Sequence, residues 1–259
     1  MRRVSINPAD PRSPAEQIAD DLRTEITSGE LPPGGRLPSE RQLADRYRVS
    51  TTTAVRAMER LRDEGLIDSK AGAGRFVRRP RQLVRVGSDR YARWRRSAGK
   101  APFQAEMEAA GVEWRQEVLE LAEVPADEEV ARWLAVEPGA LVWVRRRRTW
   151  AEGEPTQLAD SYYRLDVVAD TTIMQEDTGP GGGHARLEEK GYRIIRFREE
   201  IRIRMPSNQE SRDLHLAGGV PVAELYRVTY STNDTVVEFF RSVMAGDRHV
   251  FSYEFEAPE

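Results

Sequence analysis

Three consecutive threonines, Thr51-Thr52-Thr53, follow Ser50, and Arg56 and Arg60 recur at helical spacing behind them. Short hydroxyls at the start of a helix can reach base edges or the thymine methyl in a major groove, and arginine can reach guanine or phosphate. A second cationic group, Lys70, Arg75, Arg78 and Arg79, brackets the turn Ala71-Gly72-Ala73-Gly74. Its chemistry suits holding a phosphate backbone or entering a minor groove. Other chemistries fare worse. The chain has no cysteine, which excludes disulfides and thiolate metal sites. His184, His215 and His249 are scattered without ligand spacing, and no Ser/His/Asp order suggests a triad. Gly179-Pro180-Gly181-Gly182-Gly183 lacks the Lys-Ser/Thr of a phosphate-cradling loop and reads as a flexible loop. No catalytic residue, metal or cofactor is expected.

The elements that must carry these groups can be read from periodicity. Ala15, Ile18, Ala19, Leu22 and Ile26 form an apolar stripe that predicts a helix over 14–28, stopped by Gly29. Ser39-Glu40-Arg41-Gln42 fits a capping box, opening a second helix with Leu43, Ala44 and Tyr47 inward. After the short link Arg48-Val49, a third helix starts at Ser50 and runs to about Glu64 with Ala54, Met58 and Leu61 inward. Two short strands, 66–69 and 75–78, complete the order of a winged helix-turn-helix.

Charge divides along the chain. Residues 1–96 carry a net charge of +8 and the remainder −11, although the whole chain sums to only −3. A basic module for a polyanion joined to an acidic module with another task fits this split. With 259 residues, 39% hydrophobic and 32% charged, two globular domains are expected. The start is not followed by a long apolar stretch, and no run spans a bilayer, so a cytoplasmic protein without membrane contact is expected.

Residues 14–78 closely resemble the DNA-binding domain of the GntR family of bacterial regulators. The likeness runs through Gln17-Ile18-Ala19-Asp20, Ser28-Gly29-Glu30-Leu31-Pro32-Pro33-Gly34, Leu37-Pro38-Ser39-Glu40-Arg41-Gln42-Leu43-Ala44, Tyr47-Arg48-Val49-Ser50, Glu64-Gly65-Leu66-Ile67 and Gly72-Ala73-Gly74-Arg75-Phe76-Val77. The resemblance implies that Ser39 and Arg41 contact phosphate or bases, that the start of the third helix reads bases, and that the wing tip enters the minor groove. The residues expected to meet DNA are Arg36, Ser39, Glu40, Arg41, Ser50, Thr51, Thr52, Thr53, Arg56, Lys70, Gly72, Gly74 and Arg75. The chain departs from the family pattern in three places. Thr51 and Val55 stand where arginines are usual, and Arg75 replaces the threonine of the wing. An operator unlike the common family consensus is therefore expected, unless Arg41 and Arg75 suffice to read the usual core.

Residues 79–97 are rich in arginine (Arg79, Arg81, Arg85, Arg90, Arg93, Arg95 and Arg96, with Arg78 just before) and read as a basic linker. It would serve either as a further phosphate contact or as a solvated hinge. Beyond it, strands are expected at 114–121, 140–150, 157–163, 191–204, 222–230, 235–244 and 249–255. Helices are expected from Pro125 and over 206–214. This half, 98–259, resembles the effector-binding domain of HutC-type GntR regulators, the UTRA domain, which is similar in fold to chorismate lyase. The likeness is carried by Arg145-Arg146-Arg147-Arg148, Gly153-Glu154-Pro155, Ser161-Tyr162-Tyr163, Arg204-Met205-Pro206, Arg227-Val228-Thr229-Tyr230 and Gly246-Asp247-Arg248. It implies an effector cleft lined by Arg147, Ser161, Tyr163 and Glu238. Thr149 stands where relatives place a second arginine, and Met244 where an aromatic is frequent. Arg147 and Glu238 could instead form a buried ion pair.

The resulting expectation is an α+β chain: a winged helix-turn-helix over 1–78, a linker, and an antiparallel-sheet UTRA domain that also dimerises. As a regulator rather than an enzyme, it would bind a palindromic double-stranded operator as a homodimeric repressor and be released by a small-molecule effector. A chorismate lyase-like enzyme and a ligand-independent DNA-binding protein are the alternatives.

Overall fold

Ser13, Ser39 and Ser50 each start a helix in the computed structural model, which describes residues 6–70, 72–78, 82–87, 90–91 and 99–256. Each serine side chain accepts a hydrogen bond from a backbone N–H of the first helical turn, satisfying a donor that has no partner inside the helix. Ser13 and Ser39 form full capping boxes with Glu16 and Gln42. The helices are α1 (Pro14–Thr27), α2 (Glu40–Tyr47) and α3 (Thr51–Asp63). Arg48, in the left-handed region with φ 56°, ends α2 and turns the chain into α3.

The buried faces follow the periodicity. Ile18, Ala19 and Leu22 of α1 meet Leu43, Ala44 and Tyr47 of α2 and Ala54, Ala57, Met58 and Leu61 of α3 in one core. Strands β1 (Ile67–Lys70) and β2 (Gly74–Val77) pair antiparallel, and Ile67 and Val77 close that core. Each fully buried leucine here contributes about 1.5–3 kcal/mol. The helix, helix, turn, helix, hairpin order is that of a winged helix-turn-helix.

A second unit takes over from Gln82, the short 217–220 stretch apart. Its elements are β3 (Leu83–Val86), α4 (Pro102–Ala109), β4 (Trp114–Pro125), α5 (Glu128–Leu134), β5 (Leu141–Ala151), β6 (Glu154–Arg164), α6 (Leu165–Val168), α7 (Gly182–Glu189), β7 (Ile194–Arg204), α8 (Asn208–Asp213), β8 (Val222–Ser231), β9 (Val236–Ala245) and β10 (His249–Ser252). Six strands make one antiparallel sheet in the order β4-β5-β6-β9-β8-β7. With helices on both sides of the sheet, the fold is α+β.

Two expectations about elements need correction. The stretch read as linker contains β3, which pairs in parallel with β10 and alternates, with Leu83 and Arg85 buried and Val84 and Val86 exposed. Arg79, Arg81, Arg93, Arg95 and Arg96 lie outside the described residues, as does the side chain of Lys70. Pro125 does not open a helix. It ends β4, an edge strand where a missing N–H costs no ladder bond, and α5 starts later with Asp127 as its cap. No helix among the described residues is long and apolar enough to cross a membrane.

Candidate nucleic-acid interface and effector cleft

In the first unit, Arg41, Thr51, Thr52 and Arg56 are exposed. Thr53 is less available, since its hydroxyl bonds the Ser50 hydroxyl at 2.9 Å and its N–H donates to the same cap. Ser50 and Thr53 therefore build the helix start, while Thr51, Thr52 and Arg56 project from it. Arg60, on the same face, is turned to structure by Glu16 at 3.0 Å.

Glu40 carries a negative charge that phosphate would repel, yet it forms an ion pair with Arg75 of the wing at 3.2 Å. Its role in this geometry is to hold Arg75. Arg36 bridges to Phe76 by its backbone, and its side chain runs past Gly74 so closely that a Cβ there would lie 3.3 Å from Nε. Arg36, Ser39, Glu40, Gly74 and Arg75 thus line one open groove of about 610 Å³ at the N-terminus of α2. Gly72, at φ 71°, needs the freedom of glycine at the wing tip. Two arginines beside a helix N-terminus make a site suited to a phosphate.

In the second unit, strand alternation puts Arg145, Arg147 and Thr149 of β5 on the face that carries Gln157, Ala159 and Tyr163 of β6. Arg227 of β8 and Glu238 of β9 join them across the sheet. The residues form the floor of a cavity of about 130 Å³, and Gly181, Gly182, Gly183 and His184 bound it on another side. The glycine run read as a loop therefore leads into α7 and aims its N-terminus at the cavity. Gly181 and Gly182 both have positive φ (80° and 69°), and a Cβ on Gly183 would come within 3.2 Å of the Tyr163 hydroxyl.

Glu238 is the most heavily bonded group in the cavity. Its carboxylate accepts from Tyr163 (2.9 Å), His184 Nε2 (3.0 Å), Arg227 (2.7 Å) and Thr229 (3.0 Å). Burial alone would raise its pKa, but the Arg227 charge and then His184 outweigh burial and hold the carboxyl well below its usual range. The ion pair weighed for Arg147 and Glu238 is thus not formed as such, because Arg227 takes that place.

Arg147 is left with a neutral partner. It donates to Ser161 Oγ at 2.6 Å, and its Nε finds no acceptor among the described residues. Burial depresses its pKa, which nearby Tyr163 and Glu238 do not restore. Arg145 bonds the carbonyls of Gln175 and Glu176, and burial, with repulsion from Arg147, pushes it down to about 10. Arginine stays protonated in proteins, so both shifts mark positive charge that the nearby carboxylates, Asp177 and Glu176 for Arg145 and Glu238 and Asp160 for Arg147, do not fully offset. The structure brings Arg147, Ser161, Tyr163 and Glu238 together, with Ser161 directly behind Arg147. Reading the sequence alone missed Arg145, Arg227 and His184. Arg145 was detectable, being in phase with Arg147 on one strand.

Residues 109–250 match the UTRA domain family, and residues 14–77 match the gntR family of bacterial regulatory proteins. The chain belongs to the GntR family. An HTH-type transcriptional regulator of Streptomyces coelicolor is 37% identical over 257 residues, covering 96% of this chain and 95% of its own. The repressor NagR of Bacillus subtilis is 26% identical, covering 96% and 97%. The crystal structure of another GntR-family regulator superposes with a TM-score of 0.63 at 28% identity, over 95% of this chain and 99% of the other. These GntR relatives are transcriptional regulators and not enzymes. Regulators of this type pair a DNA-binding domain with a UTRA domain that takes a small-molecule effector.

Proposed function

We propose that this GntR protein is a repressor that binds a palindromic operator as a homodimer and is released when a small anionic effector enters the cavity of its UTRA domain. The observation that carries the effector class is Arg147, a half-buried cation with no carboxylate bonded to it among the described residues, facing the same cavity as the N-terminus of α7. Both favour a phosphate or carboxylate group. Thr149, in place of a second arginine, argues for one clamping guanidinium plus a hydroxyl. NagR and MngR are named as repressors, and MngR is tied by its name to mannosyl-D-glycerate, a sugar acid. Release requires that the effector bind the DNA-free form more tightly, typically by about 1–3 kcal/mol. A thermal-shift screen of phosphorylated and carboxylated metabolites, followed by operator titration with each hit, tests this. If no hit alters DNA affinity, the sensor role fails.

On the DNA side, Arg41, Thr51, Thr52, Arg56 and the Arg36–Arg75 groove are the contact set, with Ser39, Ser50 and Thr53 shaping the helix starts. Lys70 and the wing glycines join them through the hairpin. Arg41→Ala is expected to weaken operator binding by about 1–3 kcal/mol if it reads a base. If it meets phosphate, the variant lowers the salt slope by about 0.9 and affects all sequences equally. Glu40→Ala, which frees Arg75, should also weaken binding although it removes a negative charge. Tighter binding by Glu40→Ala would contradict the positioning role. Selection from random DNA should return half-sites rich in thymine at the positions under Thr51 and Thr52. Recovery of the common family consensus would contradict the expected shift in specificity.

A further inference from the structure

A chain of buried hydrogen bonds leaves the cavity in a direction that effector binding does not itself require. Arg227 donates to Glu238 at 2.7 Å with one nitrogen and to the Tyr91 hydroxyl at 2.9 Å with the other. The same hydroxyl accepts from Arg85 of β3 at 2.6 Å and donates to Glu199 of β7 at 2.8 Å. Arg85 also binds Glu199, at 3.1 Å through Nη1. Tyr253, just beyond β10, donates to the same carboxylate at 3.3 Å, and its ring lies where a Cβ on Gly87 would stand. Arg85, Tyr91, Arg227 and Glu238 are all under 10% exposed.

The Tyr91 hydroxyl has one proton and two lone pairs, and this arrangement uses them all. Arg227 cannot retreat toward a new anion without leaving a buried lone pair unfilled or redirecting Arg85. Redirecting Arg85 matters because β3 and β10 form an isolated pair of four-residue strands. A two-stranded sheet this short has little stability of its own. Its persistence depends on what Leu83 and Arg85 hold beneath it. In sequence, β3 is also the first element after the winged helix-turn-helix.

We propose that the path Glu238–Arg227–Tyr91–Arg85 is a relay that couples occupancy of the cavity to the pairing of β3 with β10. The inference rests on reading the cavity as an effector site, and Tyr91 acts in it as a positioning residue.

Amide hydrogen exchange on the full-length protein tests the relay without an effector. Tyr91→Phe keeps the ring stacked on Phe197 and removes only the hydroxyl. It should speed exchange over 83–87 and 249–252 by about two- to tenfold, the range that one hydrogen bond supports. Amides of the central strands at Leu225 and Phe239 should keep their wild-type rates, which a general loss of stability would not allow. Glu238→Gln should produce the same acceleration at β3, and should add nothing in the Tyr91→Phe background. Should Glu238→Gln fail to fold, Thr229→Val removes one of the four donors to that carboxylate and is read in the same way. Acceleration confined to residues around the cavity, or effects of the two variants that simply add, would overturn the relay. A parallel arm with inorganic phosphate reports on the cavity itself: slower exchange at Gly182–His184 supports an anion site, and no change removes it. If phosphate does not bind, the relay is decided by the variants. If phosphate does bind, it must alter β3 exchange in the wild type and not in Tyr91→Phe.

Discussion

Replacing Glu238 by alanine is expected to destabilise the UTRA domain by about 3–5 kcal/mol. The magnitude follows from what the substitution leaves behind. Arg227, itself buried, would keep its charge with Tyr91 as its remaining partner, and the hydroxyls of Tyr163 and Thr229 would lose their acceptor. An unpaired buried cation costs far more than the net worth of the pair it came from. Urea unfolding of the full-length protein, followed through the tryptophans of the UTRA domain, measures the loss. A cost below about 1 kcal/mol would show that Arg227 relaxes to another acceptor. The same group gives a pH dependence of fixed sign. Its folded pKa lies well below its value of 4.5 when unperturbed. The stabilisation is therefore complete above about 4.5 and is lost as pH falls toward the folded value, because the unfolded chain binds the proton first. Wild type should lose stability in that acid window more steeply than Glu238→Ala.

How much of this was legible beforehand depends on the range of the interaction concerned. Capping boxes and three- and four-residue stripes are local, so α1, α2, α3 and their buried faces follow from the residues themselves. In the UTRA domain, alternation marks 114–121, while two hairpins follow from the turns at Glu152-Gly153-Glu154-Pro155 and Asn233-Asp234; the central strands, buried on both faces, do not alternate. β3 was hidden because four residues, Leu83-Val84-Arg85-Val86, carry too short a period to stand out among arginines, and because its partner β10 is far away in sequence. Pro125 misled because proline marks helix starts and edge-strand ends alike, and which strand is an edge is a property of the whole sheet. The cavity shows the same division. Arg147, Ser161, Tyr163 and Glu238 came from a family likeness, which stores long-range register that one sequence does not display. Arg227 and His184 reach Glu238 only through the pairing of β8 with β9 and the placement of α7, so no local pattern pointed to them. The charge split could not separate them either, since a net −11 beyond residue 96 conceals a cavity lined with arginines.

Arg147→Ala is expected to behave in the opposite way to Glu238→Ala, with effector binding weakened and stability kept. Arg145 and Arg227 already have fixed partners, two carbonyls and a carboxylate respectively. Among the described residues Arg147 holds the Ser161 hydroxyl and no charged group within bonding distance. Removing it should leave stability within about 1 kcal/mol of wild type or raise it slightly, since a partly desolvated cation with no bonded counter-ion is a cost to the fold. A charge-assisted hydrogen bond to an anion contributes about 1.5–3 kcal/mol, so effector affinity should fall about 10- to 150-fold. Calorimetric titration with the anion recovered from the metabolite screen measures this, alongside urea unfolding of the same sample. Arg147→Lys keeps the charge but not the fork, and should recover part of the affinity for a phosphate and less for a planar carboxylate. Unchanged affinity in Arg147→Ala would place the anion elsewhere, and a large loss of stability would make Arg147 a structural group like Arg227. Arg227 is buried with a carboxylate bonded to it, whereas Arg147 is half-buried with only a hydroxyl. The fold has supplied Arg227 with its counter-ion, whereas for Arg147 that place is left to the ligand.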